Sequence, residues 1–305
     1  MKKLIHAGTF IAGIAACFIF LSLFGFNDEP AAGQVKTTGM PGFNGLQVPS
    51  IPESMSFAGE AVPLNRWEVR EQFDRELLLN YYQQGNIVYM LKLSKKYFPQ
   101  IEAQLKANNI PDDFKYLCVA ESNLQNLVSK VGASGFWQFM KSTAPGYNLE
   151  VNATVDERYH VAKSTQSACE YLKRAYDRFG NWTAAAASYN CGMGGFGERS
   201  KSQGTTNYYE LILPEETQRY IFRILAFKQI LSNADSLGFK VPESGHYAAL
   251  KTREITVTGS IPNLIEFARS NGSDFKVLKW LNPWLRGRSL TVRPGKTYTI
   301  VLPAG

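Results

Sequence analysis

The stretch that decides the fold is Asp112–Met140, DDFKYLCVAESNLQNLVSKVGASGFWQFM. Pro111, Asp112 and Asp113 suit a helix N-terminus, where a fixed φ and negative charge meet the positive end of the dipole. Phe114, Leu117 and Cys118 mark one apolar face at i, i+3 and i+4. The next position on that face, i+7, is Glu121. A carboxylate therefore stands where the period asks for a core residue. After it come a polar Ser-Asn pair, the turn-rich GASG and the aromatic-amide cluster Phe136-Trp137-Gln138-Phe139. Desolvation disfavours a charged carboxyl, so an acid in this setting keeps its proton towards neutral pH and can donate it. The competing reading is a glutamate at a helix end, or one paired with a buried Arg or Lys.

Outward from this stretch the pattern is mostly helical. WEVREQFDRELLLNYY from Trp67 and then YMLKLSKKYFPQIEAQLKANN predict two amphipathic helices. STQSACEYLKRAYDRFG predicts another, with Ala168, Tyr171, Leu172, Ala175 and Phe179 on one face and Gly180 at the C-cap. WTAAAASYN predicts a short helix ending at Gly192, its alanines letting another backbone approach closely. The Gly-rich, polar run from Gly192 to Gly204 is expected as a mobile loop. Pro214, Glu215 and Glu216 open a last helix to about Ser232, whose apolar face includes Ile221, Ile224, Leu225, Ile230 and Leu231. From Arg253 the grammar changes to a βααβ order: strands at 254–258 and 297–302, helices at 263–270 and 274–281.

Four motifs stand in order: Ala120-Glu121-Ser122, then GASGFWQFM, then ASYNCG at Ala187–Gly192, then EETQRY at Glu215–Tyr220. Together they resemble the lytic murein transglycosylases with a lysozyme-like, Slt-type catalytic domain, most of all the membrane-bound D group. The resemblance covers about residues 85–235. It implies that Glu121 is the catalytic residue, protonating the oxygen between N-acetylmuramic acid and N-acetylglucosamine. The ionised Glu121 would then take the proton of the muramoyl 6-hydroxyl as that oxygen attacks C1, leaving a 1,6-anhydromuramic end. It further implies that Gln138 hydrogen-bonds the sugar or its acetamido group, and that the Tyr189 hydroxyl orients the catalytic carboxyl, with Asn190 beside it. Glu216 and Tyr220 form a wall of the cleft or a buried hydrogen-bonded brace. Trp137 either stacks on a sugar face or peptide stem or is a core aromatic. Ser122 either bonds near the site or caps the helix end. No cofactor and no metal is implied; a hydrolytic muramidase like the goose-type lysozymes and a non-catalytic wall-binding scaffold are the alternative readings.

The C-terminal βααβ order, with Leu281-Asn282-Pro283 and Arg293-Pro294-Gly295, resembles a LysM carbohydrate-binding module. Thr258-Gly259-Ser260 replaces the Gly-Asp-Thr segment usual after its first strand. Sugar binding and mere spacing are both open for it, and a fragment from about Ala249 is expected to fold alone. The expected fold class is mainly α: a lysozyme-like helical domain plus a small α+β, LysM-like module.

Composition bounds the rest. The 305 residues suffice for two domains and a tail, and 45% are hydrophobic. With 33 Lys+Arg against 26 Asp+Glu the formal charge is +7, which suits an anionic partner such as the acidic cell-wall polymer. The absence of dense basic runs or nucleic-acid motifs excludes nucleic acid. Met1-Lys2-Lys3 precedes an apolar run to Phe26, longer than the roughly 20 residues a bilayer span needs. An uncleaved signal anchor, a cleaved signal, and a lipoprotein box at Ile14-Ala15-Ala16-Cys17 compete for it, the anchor being favoured. The expected order is then an anchor at 1–26, a Pro/Gly-rich linker at 27–65, the helical domain at 66–245 and the module at 250–305. The expected partners are peptidoglycan glycan strands and the cytoplasmic membrane, the location the periplasm, and the state a monomer. Cys118, Cys169 and Cys191 read as buried thiols, a Cys118–Cys191 pair being the alternative.

Overall fold

A computed structural model describes residues 48–304. The segment 1–26 and the linker before Val48, expected above as anchor and tether, lie outside the described residues. Among the described residues no helix is long and apolar enough to cross a membrane.

The chain opens on a small hairpin, β1 (Ser56–Phe57) paired antiparallel with β2 (Glu60–Ala61). Six helices follow: α1 (Trp67–Tyr81), α2 (Gln84–Ala107), α3 (Phe114–Ser122), α4 (Val161–Phe179), α5 (Trp182–Gln203) and α6 (Glu215–Ser232). The βααβ module is β3 (Thr252–Val257), α7 (Leu264–Ser270), α8 (Phe275–Leu281) and β4 (Tyr298–Pro303). The mainly helical class with a small α+β C-terminus is therefore observed.

Helix α6 is the hub. It packs on α1, α3 and α5, and Tyr220, Ile221, Ile224, Leu225 and Ile230 are all buried. Ala184–Ala187 of α5 are buried completely, which lets neighbouring helices approach the α5 backbone. Helix α5 also corrects an expectation. Its backbone breaks at Gly192 (φ 78°, ψ 148°), but helix resumes beyond it instead of a loop. Phe196 and Ser200 recur at helical spacing on its buried side, and Phe196 meets the Phe179 ring edge-on at 4.9 Å. That buried face outweighs the glycines, whose cost is only about 1 kcal/mol each.

The residues from Val48 to Asn65, within the stretch read as linker, are tied into the helices. Phe57 is fully buried, and the Glu60 carboxylate accepts from the backbone N–H groups of Trp182 and Thr183, capping α5. Asp113 accepts from Ala58 N and from the Lys228 ammonium, both at 2.7 Å, so the hairpin clamps α3 to α6.

The module is a two-stranded antiparallel sheet, with Val257 opposite Tyr298 and Thr252 opposite Pro303, covered by α7 and α8. Alternation along β4 turns Tyr298, Ile300 and Leu302 inward. Its core also takes in Val155 and Tyr159 from the segment before α4. Backbone bonds fasten this junction: Asp156 N donates to Trp284 O at 2.8 Å and Arg286 N to Thr154 O at 2.7 Å. Trp284 stacks on Tyr298 and on His160, while Tyr298 and Lys296 bind the Glu150 carboxylate. Part of the module's core thus lies outside the 250–305 bounds expected for it, in Val155 and Tyr159.

Candidate active site

Helix α3 ends abruptly just after Glu121. Asn123 and Leu124 both adopt left-handed backbone (φ 52° and 58°), and Gln138 does too (φ 48°). Asn tolerates this conformation; a buried Leu and a Gln do so at a cost of order 1 kcal/mol or more. Gln138 is a motif residue and Asn123 and Leu124 directly follow one, while Ala58, Asn109 and Asn148 take the same conformation elsewhere. The turn puts Glu121 in the last turn of α3, half-buried, with Leu117 and Cys118 fully buried a turn below.

The loop between Leu127 and Phe139 forms a lip beside α3, its Phe136 carbonyl accepting from the Cys118 thiol. Its second glycine, Gly135 (φ 83°), lies so close to the Arg158 carbonyl that an added Cβ would sit 1.9 Å from that oxygen. Only glycine fits. Arg158, buried and paired with Asp156 at 2.8 Å, donates from Nη1 to the Gly132 and Phe139 carbonyls at 3.0 and 3.1 Å. The lip is thus braced from the segment that joins the module. It leaves Leu127, Val128, Val131 and Met140 exposed.

The motif residues do not all reach the acid. The Tyr220 hydroxyl donates to Glu121 Oε1. Tyr189, expected in that role, donates instead to the Trp137 carbonyl at 2.8 Å, its ring packed among Trp137, Phe139 and Tyr171. Trp137 is fully buried and its indole N–H donates to Thr165 Oγ1 at 2.9 Å, so it is a core aromatic and cannot stack on a ligand. Ser122 is buried and bonds back to the Cys118 carbonyl. Asn190 Oδ1 accepts from Thr217 Oγ1 at 2.8 Å, joining α5 to α6. Gln138 donates from Nε2 to Gly135 O and Leu127 O, which leaves its carbonyl oxygen as the group it can offer a ligand. Glu216 is exposed and paired with Arg223 at 3.0 Å, so the buried brace is Tyr220 alone.

Burial pushes the Glu121 carboxyl up to about 7. The Tyr220 hydrogen bond and the Arg223 charge pull the other way, and Glu216 adds to the rise. Desolvation holds the buried Cys118 thiol, the buried Tyr220 hydroxyl and the half-buried Tyr189 hydroxyl well above their ordinary values, so they stay neutral. Cys118, Cys169 and Cys191 are free thiols. Among the described residues no cluster of His, Cys, Asp or Glu could hold a metal ion.

Two residues outside the motif set matter here. Arg223 lies on the Glu216–Tyr220 stripe of α6, seven residues on from Glu216, a spacing that could have flagged it. Glu76 of α1 is buried and binds Arg219 at 2.6 Å. It sits on the apolar face Val69, Phe73, Leu77, the same signal that exposed Glu121.

This geometry agrees with comparisons to known proteins. The family model "Transglycosylase SLT domain" matches residues 98–212, and "Soluble lytic transglycosylase C-terminal LysM-like domain" matches 253–305. The chain carries an SLT transglycosylase domain and a LysM-like domain. The SLT match contains Glu121, Gln138, Tyr189 and Asn190, whereas Tyr220 lies just beyond it. The chain is also similar to the membrane-bound lytic murein transglycosylase D of Escherichia coli strain K12 and to that of strain O6:H1. Each is 28% identical over 214 residues, which is 68% of this chain and 46% of the relative. The chain therefore matches under half the length of these curated relatives.

Proposed function

We propose that this protein is a peptidoglycan lytic transglycosylase in which Glu121 acts first as acid and then as base. The observation that carries this reading is a half-buried carboxyl held at about 7 at the end of α3, bonded to a neutral tyrosine and not to a cation. Such a group is protonated in a large fraction of molecules at neutral pH and still ionises readily, which suits both roles. Glu121 gives its proton to the glycosidic oxygen between N-acetylmuramic acid and N-acetylglucosamine. The sugar's acetamido group stabilises the cation at C1, and the Gln138 carbonyl oxygen accepts from that acetamide. The muramoyl 6-hydroxyl then attacks C1 and yields its proton to Glu121. A nucleophile within the same sugar carries the advantage of a high effective molarity. The exposed apolar side chains of the 127–140 lip flank the glycan strand. The envelope is the site of action, in keeping with the membrane-bound relatives' name and the apolar run to Phe26.

One observation favours a second reading, a hydrolytic muramidase. Glu216 acts on Glu121 electrostatically and is a carboxylate that could activate water. Digestion of purified wall in oxygen-labelled water separates the two. Ends in 1,6-anhydromuramic acid without label are expected; label at C1 would replace the transglycosylase with a hydrolase.

A further inference from the structure

Charge is distributed unevenly along this chain. Residues 250–305 hold nine Lys and Arg against three Asp and Glu, whereas the other residues hold 24 against 23. The LysM-like module thus carries +6 of the net +7. Among the described residues, Lys296 is the only one of its basic side chains in an ion pair, with Glu150 of the helical domain.

Part of the unpaired charge is gathered in one place. On α8, Lys276, Lys279 and Trp280 share a face at i, i+3 and i+4. Trp280 is 77% exposed, the most exposed large apolar side chain among the described residues. The Lys279 ammonium turns to the loop after α8 and donates to the Leu285 and Gly287 carbonyls. That loop presents Arg286 and Arg288, both exposed. Burial and the nearby Arg286 charge together hold Lys279 below its ordinary value, as expected of crowded cations without an acid between them.

We propose that this face, Lys276, Trp280, Arg286 and Arg288, docks on the carboxylate-bearing stem peptides of the wall polymer. The proposal rests on the wall reading given above. The charged side chains at the face are all cationic donors, so carboxylates, which only accept and carry the opposite charge, match them better than neutral sugar hydroxyls. The exposed indole supplies an apolar surface for the methyl and methylene groups of a peptide. A polymer is favoured over a bilayer because the face and the lip are held by one segment. Arg158 braces the lip, while its neighbours Val155 and Tyr159 enter the module core and Tyr159 carries Arg286 at 4.2 Å. A ligand that reaches both Glu121 and this face at fixed spacing must be a long one.

The test is co-sedimentation of the full chain carrying Glu121→Gln, which leaves the wall intact, with purified sacculi. Binding is expected to weaken steeply with salt. It should drop about ten-fold in Lys276→Glu/Arg288→Glu, since several modest exposed charge pairs are reversed together. It should drop comparably on sacculi whose peptide carboxyls have been amidated, and less in Trp280→Ala. The control Lys173→Glu/Lys201→Glu, exposed positions of the helical domain, changes net charge equally and should lose under two-fold. Equal loss in the control means that only net charge matters, which overturns the proposal. So does undiminished binding to amidated sacculi or to glycan stripped of peptide, since sugar is then what is recognised. If reversal spares sacculi but abolishes association with phosphatidylglycerol vesicles, the partner is a bilayer and the proposal falls. Failure of the function reading would look different: wild-type protein would release no soluble wall fragments, whatever the binding result.

Discussion

Glu76 and Glu121 lie on apolar faces of different helices, α1 and α3, and both press against α6. Their surroundings diverge within one turn of that helix. Glu76 meets Arg219 at 2.6 Å, with Arg223 at 3.9 Å, and is an ion-paired fixture between α1 and α6. Glu121 meets the neutral hydroxyl of Tyr220, with the Arg223 charge farther off, and burial holds it at about 7. Breaking a buried ion pair by removing one partner is costly. A buried acid with only a hydroxyl partner instead keeps a proton ready for transfer. The residue type and periodic position are the same; the counter-charge decides which glutamate braces and which reacts.

The sharpest way to break this contrast is Glu121→Gln, which keeps shape but removes the exchangeable proton. Wall-lysis rate should fall by about 10² to 10⁴. A variant that lyses wall at the wild-type rate would put the chemistry elsewhere. Glu76→Gln should do the reverse, sparing the rate at low temperature while costing about 2–4 kcal/mol of stability. A thermal midpoint lowered by about 5–10 °C is the expected reading for a domain this large. An unchanged midpoint would mean that Arg219 is satisfied without Glu76.

Glu121→Gln should also alter stability, with opposite sign to Glu76→Gln. The folded carboxyl titrates near 7 against an ordinary 4.5, so the native state binds the proton more tightly than the unfolded chain. Wild-type stability therefore falls as pH rises from about 4.5 to 7. Above that window the Gln variant should be the more stable by about 2–3 kcal/mol, and below it the difference should vanish. Denaturant titrations at pH 4 and pH 8 would show this, and a constant difference would mean that Glu121 is not desolvated. The smallest effect is Tyr220→Phe. It removes a hydrogen bond that favours the charged form, so the acid should titrate higher and the alkaline limb of the pH–rate profile should move up. A rate loss of about ten-fold is expected from the freed carboxyl. A limb that moves down would show that the hydroxyl does not favour the carboxylate.

Much of this site was legible because it is local. The face Phe114, Leu117, Cys118 placed Glu121, and the Val69, Phe73, Leu77 face held the same information about Glu76. Telling the two apart needed Arg219, 143 residues along from Glu76, and no period reports that distance. The two tyrosines failed for a related reason. Motif order brings Tyr189 and Tyr220 towards the acid, but which hydroxyl arrives depends on how α5 and α6 cross α3. Trp137 was ambiguous because an aromatic beside a Gly-rich turn suits a cleft or a core equally, and Thr165 settles its place. At Gly192 a glycine run outweighed the spacing of Phe196 and Ser200, although that spacing was visible.

The residues lent by the segment before α4 bear on how such chains recombine over evolution. A crossover placed near residue 250, where the linear pattern changes, would pass on a module lacking Val155 and Tyr159 and a carboxylate for Lys296 and Tyr298. Its new host would have to fill a gap the size of two large side chains. A recombinant that kept the 150–160 segment with the module would keep this shared core intact.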